Sequence, residues 1–298
     1  MRHPLPHNAL RTIDLRPADA FRAWHLPGAC RLSAAELDIA FLRPPRRRPL
    51  LVASDSVRES DAVVERLREA GYRAWGFDRP VKEWTGPRES GSETATSWEP
   101  SRLAAVWGMA AAGRNAVDLA CGCGRDAVHL AMQGAETTAI DVLPEAIEQA
   151  ERLAERHRVH VRLKVADLES DPRSWDGSWG MIHVSRFLHR PSFPLYGQRL
   201  APGGWLLVET FLKEQARRRG RPRRPAFLLS PGELWGAAGG LQIIEYREGP
   251  TEAGDWTAAL VARKAAGNRD GEDAVDGENR GDGGDGENRD GDGERRTG

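Results

Sequence analysis

Residues 117–126 read VDLACGCGRD, and this stretch decides the fold of the second half of the chain. The apolar run that ends at Leu119 predicts a buried strand, and Gly122 and Gly124 predict a tight turn that leads into a helix. In such a turn the backbone can approach a ligand closely, and the first amides of the helix are free to bind it. The stretch therefore predicts a ligand site at the end of a strand, where open α/β sheets bind their ligands.

Strand and helix patterns alternate around this turn. Predicted strands at 116–119, 136–140, 160–165 and 180–184 are separated by amphipathic helical patterns. Alternation over this length predicts a doubly wound, mostly parallel sheet with helices on both faces. Shorter strand and helix patterns before residue 84 predict a second, smaller α/β unit. The predicted fold class is therefore α/β in both halves of the chain.

Composition divides the chain into four segments. We predict a first domain at 1–84, a linker at 85–97 with hardly any apolar residues, and a second domain at 98–264. Residues 265–298 are almost entirely Gly, Asp, Glu, Asn and Arg, and they predict a disordered tail because they have little to bury. The tail carries 11 acidic residues and 5 arginines, so the rest of the chain has a net charge of +5. An excess this small does not by itself predict a nucleic-acid partner.

The cysteines and the chain's apolar runs bear on its compartment. Cys30, Cys121 and Cys123 are odd in number, and two of them are separated by one residue, which argues against a disulfide framework. Reduced thiols are typical of the cytosol. Residues 1–10 lack the apolar core of a secretory signal, and no run approaches the roughly 20 apolar residues that span a bilayer. The sequence thus predicts a soluble, cytoplasmic protein with no membrane contact and no metal site.

Three acids lie at the ends of the first three strands of the second half. Asp118 precedes the glycine turn, where a carboxylate would repel a pyrophosphate and suits a ligand with an ammonium group. Asp141 ends the next strand and can accept hydrogen bonds from ribose hydroxyls, and Asp167 lies within reach of an adenine amino group. The turn also lacks the endings of phosphate-binding and dinucleotide-binding loops. The three acids predict a cationic nucleoside as ligand, the alternative being a simple turn with solvated strand ends.

Several motifs of residues 116–211 resemble those of class I S-adenosylmethionine-dependent methyltransferases. The matching segments are VDLACGCGRDAVHLA at 117–131, TTAIDVLPEAIEQAE at 137–151, VADLES at 165–170 and LAPGGWLLVETF at 200–211. They occur in the family's order and at its usual spacing. The segment SRFLHRP is similar to one in small bacterial methyltransferases related to tellurite-resistance and thiopurine-type enzymes.

The resemblance implies a Rossmann-like sheet, S-adenosylmethionine as cofactor and a small-molecule methyl acceptor. It places the methionine part of the cofactor at the glycine turn, the ribose at Asp141 and the adenine at Asp167. The implied cofactor-binding residues are Asp118, Ala120, Gly122, Gly124, Asp141, Val142, Asp167, Leu168 and Ser185. A non-catalytic module that binds a nucleoside is the alternative.

The end of the fourth strand supplies the candidate catalytic residues, because it faces the methyl group in the predicted fold. His189 is a candidate base, and Arg186 or Arg190 is a candidate for holding an anionic substrate bidentately. We predict Arg186 and His189 as the catalytic residues. The alternative is that His189 and Arg190 cap a helix or pair with nearby acids, since methyl transfer needs little beyond positioning and desolvation.

A basic loop, RRRGRPRR at 217–224, is predicted after the fifth strand. It is either a contact for a nucleic acid or an anionic substrate, or a solvated loop. No aromatic residue interleaves it, so it does not predict a single-strand stacking platform. The fourth strand also lacks the NPPY-type motif of amino-methylating enzymes. Together these features disfavour a nucleic-acid partner without excluding one.

The first half resembles a rhodanese domain, through TIDLRPADAFRAWHLPGACRL at 12–32 and LLVASDSVRESDAVVERLREAGY at 50–72. The residues that match the family pattern are Asp14, Arg16, His25, Pro27, Gly28 and Ala29. Ser54 stands where that family has its catalytic cysteine, and a hydroxyl cannot carry sulfane sulfur. The resemblance therefore implies an inactive domain that stabilises, docks or presents something, with sulfur transfer as a disfavoured alternative.

Overall fold

A computed structural model describes residues 10–91 and 95–266, which form two β-sheets with helices around them. The predicted disordered tail lies outside the described residues from 267 onward. The strands are β1 Arg11–Asp14, β2 Cys30–Arg31, β3 Leu50–Ala53, β4 Ala74–Gly76, β5 Asn115–Leu119, β6 Glu136–Asp141, β7 Val161–Val165, β8 Trp179–Ser185, β9 Leu200–Phe211, β10 Gln242–Pro250 and β11 Trp256–Arg263. The α-helices are α1 Ala18–Ala23, α2 Val57–Glu69, α3 Arg102–Trp107, α4 Arg125–Met132, α5 Pro144–His157, α6 Phe193–Arg199 and α7 Lys213–Arg219.

The N-terminal sheet has four parallel strands in the order β2-β1-β3-β4. All four residues of β3 are buried, as expected for a strand covered on both faces. Helix α2 follows β3 directly and begins where the Ser56 hydroxyl accepts a hydrogen bond from the Glu59 backbone amide. Strand β2, which has only two residues, was not predicted because it is too short to show a period.

The second sheet has seven strands in the order β10-β11-β9-β8-β5-β6-β7. Strands β5 to β9 run parallel to one another, whereas β11 runs antiparallel to β9 and β10 antiparallel to β11. The predicted mostly parallel sheet is therefore a mixed one. Strands β10 and β11 pair antiparallel because the short connection at 251–255 is a hairpin turn, too short for the crossover that parallel strands need.

Two helical patterns in the second half differ from the helices that they predict. The pattern of residues 102–112 predicts one helix, but the α-helix ends at Trp107 and the chain continues as a 3₁₀-helix over Gly108–Ala111. Gly108 packs so closely on α4 that a Cβ there would lie 3.3 Å from the Leu130 side chain. The pattern that begins at Ser230 predicts a helix over 230–236, and the structure has a 3₁₀-helix over Glu233–Ala238.

The predicted basic loop is partly helical. Its first three arginines form the last turn of α7, and only the residues from Gly220 onward leave the helix. Glu214 pairs with Arg217 and Arg218, one three and the other four residues later, and pairs at this spacing stabilise a helix.

The two sheets share one hydrophobic cluster. Leu50 and Val63 contribute to it from the N-terminal sheet and α2, whereas Ala127 and Leu153 contribute from α4 and α5. Trp98, which is 1% exposed, lies in the same cluster, and its indole Nε1 donates to His157 Nε2 at 3.0 Å. The predicted linker therefore leads directly into a buried junction between the sheets.

Arg11 ties the end of the predicted linker to the N-terminal sheet. Its guanidinium donates to the backbone carbonyls of Thr96, Ser97 and Trp98 at 2.7, 2.8 and 3.1 Å. The same group donates to Glu99 Oε1 at 3.1 Å. One side chain of β1 thus holds four consecutive residues of the connecting segment.

We expect Arg11→Met to lower the free energy of unfolding by about 2 kcal/mol, because several hydrogen bonds to a charged donor are lost at once. Urea unfolding followed by circular dichroism measures the change. Arg58→Met is the matched control, since Arg58 lies exposed on α2. Equal unfolding midpoints for the two variants would contradict the assigned role of Arg11.

Candidate functional site

The glycine turn between β5 and α4 is held in left-handed backbone conformations. Ala120, Gly122 and Gly124 have φ angles of 56°, 54° and 76°. A Cβ at Gly124 would lie 2.5 Å from the Cβ of Ala150, so only glycine allows α5 to pack this closely against the turn. A Cβ at Gly122 would meet no described atom within 4 Å. The space beside Gly122 is therefore open to a ligand.

Asp141 fixes the turn from the neighbouring strand. Its Oδ2 accepts a hydrogen bond from the Gly122 backbone amide at 2.8 Å, and its Oδ1 accepts one from the Leu143 amide at 3.0 Å. The residue is 8% exposed. Each carboxylate oxygen can accept more than one hydrogen bond, so the group retains capacity for a ligand hydroxyl.

A buried ion pair lies beneath the turn. Asp118 on β5 and His183 on β8 face each other across the two strands, with Asp118 Oδ1 2.8 Å from His183 Nδ1. The histidine is fully buried and the aspartate 2% exposed. The other ring nitrogen, Nε2, lies 3.2 Å from the Ser101 hydroxyl and 3.8 Å from Asp126 Oδ2. Both ring nitrogens thus face polar oxygens.

His183 carries the proton of this pair. Burial opposes a charge on the ring, but the carboxylates of Asp118 and Asp126 outweigh it and raise the pKa of His183 to about 9. Burial also raises the pKa of Asp118, which taken alone would favour a neutral carboxyl. The geometry favours a charged imidazole, because each ring nitrogen has its own carboxylate within reach. A protonated histidine between two acids still leaves an excess of negative charge.

Two buried carboxylate oxygens here lack a hydrogen-bond donor among the described residues. They are Asp118 Oδ2 and Glu209 Oε2. A buried acceptor without a partner is costly unless a ligand or water supplies the donor. The ammonium of a methionine moiety would supply such a donor to Asp118. The site therefore fits the cationic cofactor that the sequence predicted.

Asp118 and the glycine turn line a cleft of about 600 Å³, within the size range of small-molecule sites. We call Asp118 and Asp126 the acidic floor, and Arg43, Arg47, Arg125 and Arg186 the basic rim. The remaining lining residues are Pro44, Pro45, Glu99, Pro100, Ser101, Ala120, Cys121, Gly122, Cys123 and Ser185.

The cleft brings together part of the predicted cofactor site. Asp118, Ala120, Gly122 and Ser185 line it, as does the predicted catalytic residue Arg186. Gly124 and Asp141 support the turn from behind, as described above. The other predicted residues, namely Val142, Asp167, Leu168 and His189, are not among those described as lining this cleft.

Three further predicted cofactor-binding residues lie just after β6 and β7. Val142 is 54% exposed, whereas Leu168 is 4% exposed. Asp167 is exposed, and its carboxylate accepts from the Ser170 hydroxyl at 2.8 Å and the Glu169 amide at 2.9 Å. These two hydrogen bonds lower the pKa of Asp167. The exposed apolar side chain and the ionised carboxylate are both available to a ligand.

Of the two candidate catalytic residues, Arg186 has an unusual backbone conformation, with a φ of 58°. Its backbone amide donates to the Glu209 carbonyl at 2.7 Å, which holds this conformation. Its guanidinium lies 3.3 Å from Asp255 Oδ2 and 5.7 Å from the Phe211 ring centroid, and its side chain is 67% exposed. Strained non-glycine residues of this kind cluster at active sites and ligand clamps.

His189 and Arg190 make local contacts. His189 Nδ1 lies 2.8 Å from the Ser192 hydroxyl. Arg190 pairs with Glu233 and donates to the carbonyls of Ala226 and Leu228. Arg190 was a candidate for holding an anionic substrate, and its contacts agree with the alternative prediction that it pairs with nearby acids.

Sequence reasoning missed His183, Ser101 and the two rim arginines before β3. The available signal for His183 was a titratable residue inside the apolar run of β8. Nothing local marks Arg43 or Arg47, because their role depends on how the two sheets pack together.

The position predicted to replace the rhodanese cysteine lies directly after β3. The Ser54 hydroxyl donates to Glu59 and accepts from the Ser56 amide at 3.2 Å. Asp14 and Arg16 form a buried ion pair at 2.7 Å. The rhodanese resemblance stays a prediction.

Neither a membrane span nor a metal cluster is found in the described part of the chain. None of its helices is long and apolar enough to cross a bilayer. Within residues 10–91 and 95–266, no three His, Cys, Asp or Glu side chains are grouped to hold a metal ion.

Known proteins resemble part of this chain. The family model of a methyltransferase domain matches residues 116–204. The ribosomal protein L11 methyltransferase of Shewanella piezotolerans is 35% identical to this chain over 107 residues. The aligned residues make up 35% of this chain and only 36% of that protein's length. Among solved structures, TehB from Haemophilus influenzae has 18% identity and a TM-score of 0.47, with 56% of this chain and 62% of that one covered. The N-methyltransferase NodS from Bradyrhizobium japonicum WM9 has 19% identity and a TM-score of 0.44, with 55% and 93% covered.

The family match begins at β5 and ends within β9, so it covers the glycine turn, Asp118, Asp141 and the end of β8. These are the elements that build the floor of the cleft and its open glycine turn. Residues 116–204 are therefore a class I S-adenosylmethionine-dependent methyltransferase domain.

Proposed function

We propose that the chain transfers a methyl group from S-adenosylmethionine to a small-molecule acceptor bound in the cleft. The observation that carries this proposal is the unpartnered Oδ2 of Asp118, buried at the floor of a cleft beside an open glycine turn. A carboxylate in this position is matched by the ammonium of the methionine moiety. A phosphate-bearing cofactor would be repelled by the same group.

The cofactor contacts follow from the order of the strand ends. Asp118 holds the ammonium, and the backbone at Ala120 and Gly122 contacts the methionine part. Asp141 accepts hydrogen bonds from the ribose while it continues to hold the Gly122 amide. Val142 covers one face of the adenine with its exposed side chain, and Asp167 accepts from the adenine amino group.

When bound, the cofactor supplies a methyl group on a sulfonium. The sulfur leaves as a neutral thioether, so no acid is needed to protonate the leaving group. The residues of the chain therefore act by positioning and by excluding water. Ser185 and Arg186, at the end of β8, orient the acceptor towards the methyl group. Where the acceptor carries a proton, that proton passes to water, because the predicted base His189 is not among the described residues that line the cleft.

Binding of S-adenosylhomocysteine to the purified chain, measured by calorimetry, is the first test of this proposal. We expect Asp141→Ala to weaken that binding roughly 10- to 150-fold, because charge-assisted hydrogen bonds to the ribose are lost and are worth about 1.5–3 kcal/mol. Glu148→Ala removes an exposed acid from α5 and should leave the affinity unchanged.

Two results would contradict the proposal. Equal affinities in wild type and Asp141→Ala would remove the ribose assignment. Tight binding without any release of S-adenosylhomocysteine from the methyl donor, across a broad acceptor panel, would favour the non-catalytic nucleoside-binding alternative.

A further inference from the structure

Part of the cleft wall comes from the N-terminal sheet. Arg43, Pro44, Pro45 and Arg47 line the cleft, and they belong to the segment that leads into β3. Two prolines restrict the backbone of this segment to extended conformations. The methyl-transfer cleft is thus completed by a part of the chain that lies outside the methyltransferase family match.

This wall carries an excess of positive charge. Arg11, Arg47 and Arg48 all pair with the carboxylate of Glu99, and Arg47 also lies 3.9 Å from Glu252 Oε2. Two carboxylates cannot neutralise three guanidinium groups. Arg43 donates at 2.8 Å to the backbone carbonyl of Asp38, which is a neutral acceptor. Positive charge therefore remains at the mouth of the cleft, whereas the acidic floor lies deeper and suits the cationic end of the cofactor.

Arg186 adds a positive group from the seven-stranded sheet. It lines the same cleft, and its left-handed backbone conformation fixes the position of its Cβ. Its carboxylate neighbour Asp255 is 3.3 Å away, and most of the arginine side chain is in contact with solvent. The basic rim thus joins groups from both sheets around one opening.

We infer that the methyl acceptor is a small anion with a carboxylate or phosphate group, and that Arg43, Arg47 and Arg186 bind this group. Arginine forks match both anions bidentately. This inference rests on the proposed methyl transfer. In that step a lone pair of the acceptor forms the bond to the methyl carbon, and the carbon–sulfur pair goes to sulfur. The products are the methylated acceptor and S-adenosylhomocysteine, and any proton on the attacking atom passes to water.

The test compares Arg43→Gln/Arg47→Gln with Arg46→Gln in the full chain. Arg46 belongs to the same segment, but its guanidinium lies over the Tyr72 ring, 5.7 Å from the centroid, and it is not among the described cleft-lining residues. A protein-free cell extract is divided by anion exchange into a retained and an unretained fraction. Transfer of tritium from methyl-tritiated S-adenosylmethionine to each fraction is then measured. Calorimetry measures S-adenosylhomocysteine affinity for each variant.

We expect label to enter the fraction retained on the anion exchanger. We expect the double variant to lose at least 10-fold in transfer at limiting acceptor, with unchanged affinity for S-adenosylhomocysteine, and Arg46→Gln to match wild type. Succinate and inorganic phosphate, each against potassium chloride at equal ionic strength, then distinguish a carboxylate site from a phosphate site by which one inhibits.

Several outcomes would overturn the inference. Label in the unretained fraction alone would mean a neutral or cationic acceptor. A 10-fold loss of S-adenosylhomocysteine affinity in the double variant would mean that the arginines hold the carboxylate of the cofactor instead. If wild type does not bind S-adenosylhomocysteine at all, the proposed function itself is contradicted. This result distinguishes a failure of the proposed function from a failure of the inference about the acceptor. The wild-type fractionation decides the acceptor charge even if the double variant does not fold.

Discussion

Gly124→Ala is expected to lower the free energy of unfolding by roughly 2–5 kcal/mol, enough to unfold much of a marginally stable domain. The new Cβ would lie 2.5 Å from the Ala150 Cβ and 3.0 Å from its Cα, so the backbone of α5 would have to move. Overpacking of this kind costs about 1–3 kcal/mol, and the left-handed backbone at φ 76° adds about 1–2 kcal/mol for a residue with a Cβ.

Chemical denaturation of Gly124→Ala is compared with that of Gly134→Ala. Gly134 is also left-handed, with a φ of 89°, but a Cβ there meets no described atom within 4 Å. The control therefore carries the backbone cost without the clash, and a loss of about 1–2 kcal/mol is expected. Equal losses in the two variants would show that contact with α5 does not constrain the turn.

Gly122→Ala separates stability from binding in the same turn. Its Cβ would enter open space, so we expect a modest loss of stability together with loss of S-adenosylhomocysteine binding. Calorimetry on the folded variant checks this, and retained affinity would place the methionine moiety elsewhere.

Asp118→Asn is expected to destabilise the protein by about 3–5 kcal/mol, because it leaves the buried charge of His183 without its closest partner. The ion pair has an N–O distance of 2.8 Å and lies almost entirely out of water. The variant should also fail to bind S-adenosylhomocysteine, since it removes the proposed partner of the ammonium. Asp61→Asn, an exposed substitution on α2, is the matched control.

The same pair makes stability depend on pH. The pKa of His183 is about 9 in the folded protein and near 6.5 in an unfolded chain. Its stabilising contribution is therefore complete below the unfolded pKa and is lost as the pH rises through about 9. We expect the free energy of unfolding to fall by about 3 kcal/mol over this window in Asp61→Asn but much less in Asp118→Asn. Parallel pH profiles for the two variants would contradict a charged His183.

Much of the fold could be predicted because its signals are local. The apolar run before Asp118, the glycines of the turn and the strand-end acids are each encoded within a few neighbouring residues. Boundaries were less predictable where packing decides them. Helix α3 gives way to a 3₁₀-helix where Gly108 packs on α4, and the arginines at 217–219 are helical where Glu214 pairs with two of them.

The centre of the site could not be predicted in full, because it depends on pairing between distant segments. Asp118 and His183 are 65 residues apart and meet through the register of β5 and β8. A shift of one residue would turn His183 to the other face of the sheet. Arg43 and Arg47 reach the cleft only because the N-terminal sheet packs beside α4 and α5, which no local pattern indicates.

Because Trp98 lies in a core to which both sheets contribute, recombination could not remove either half of this protein without exposing that core. A catalytic half separated from the N-terminal sheet would present Trp98, Ala127 and Leu153 to water. A contiguous apolar surface of this kind promotes aggregation. Evolution would therefore retain the N-terminal half as a fold partner even after the loss of any chemistry of its own, and such retention leaves its surface free to acquire a role in choosing the substrate.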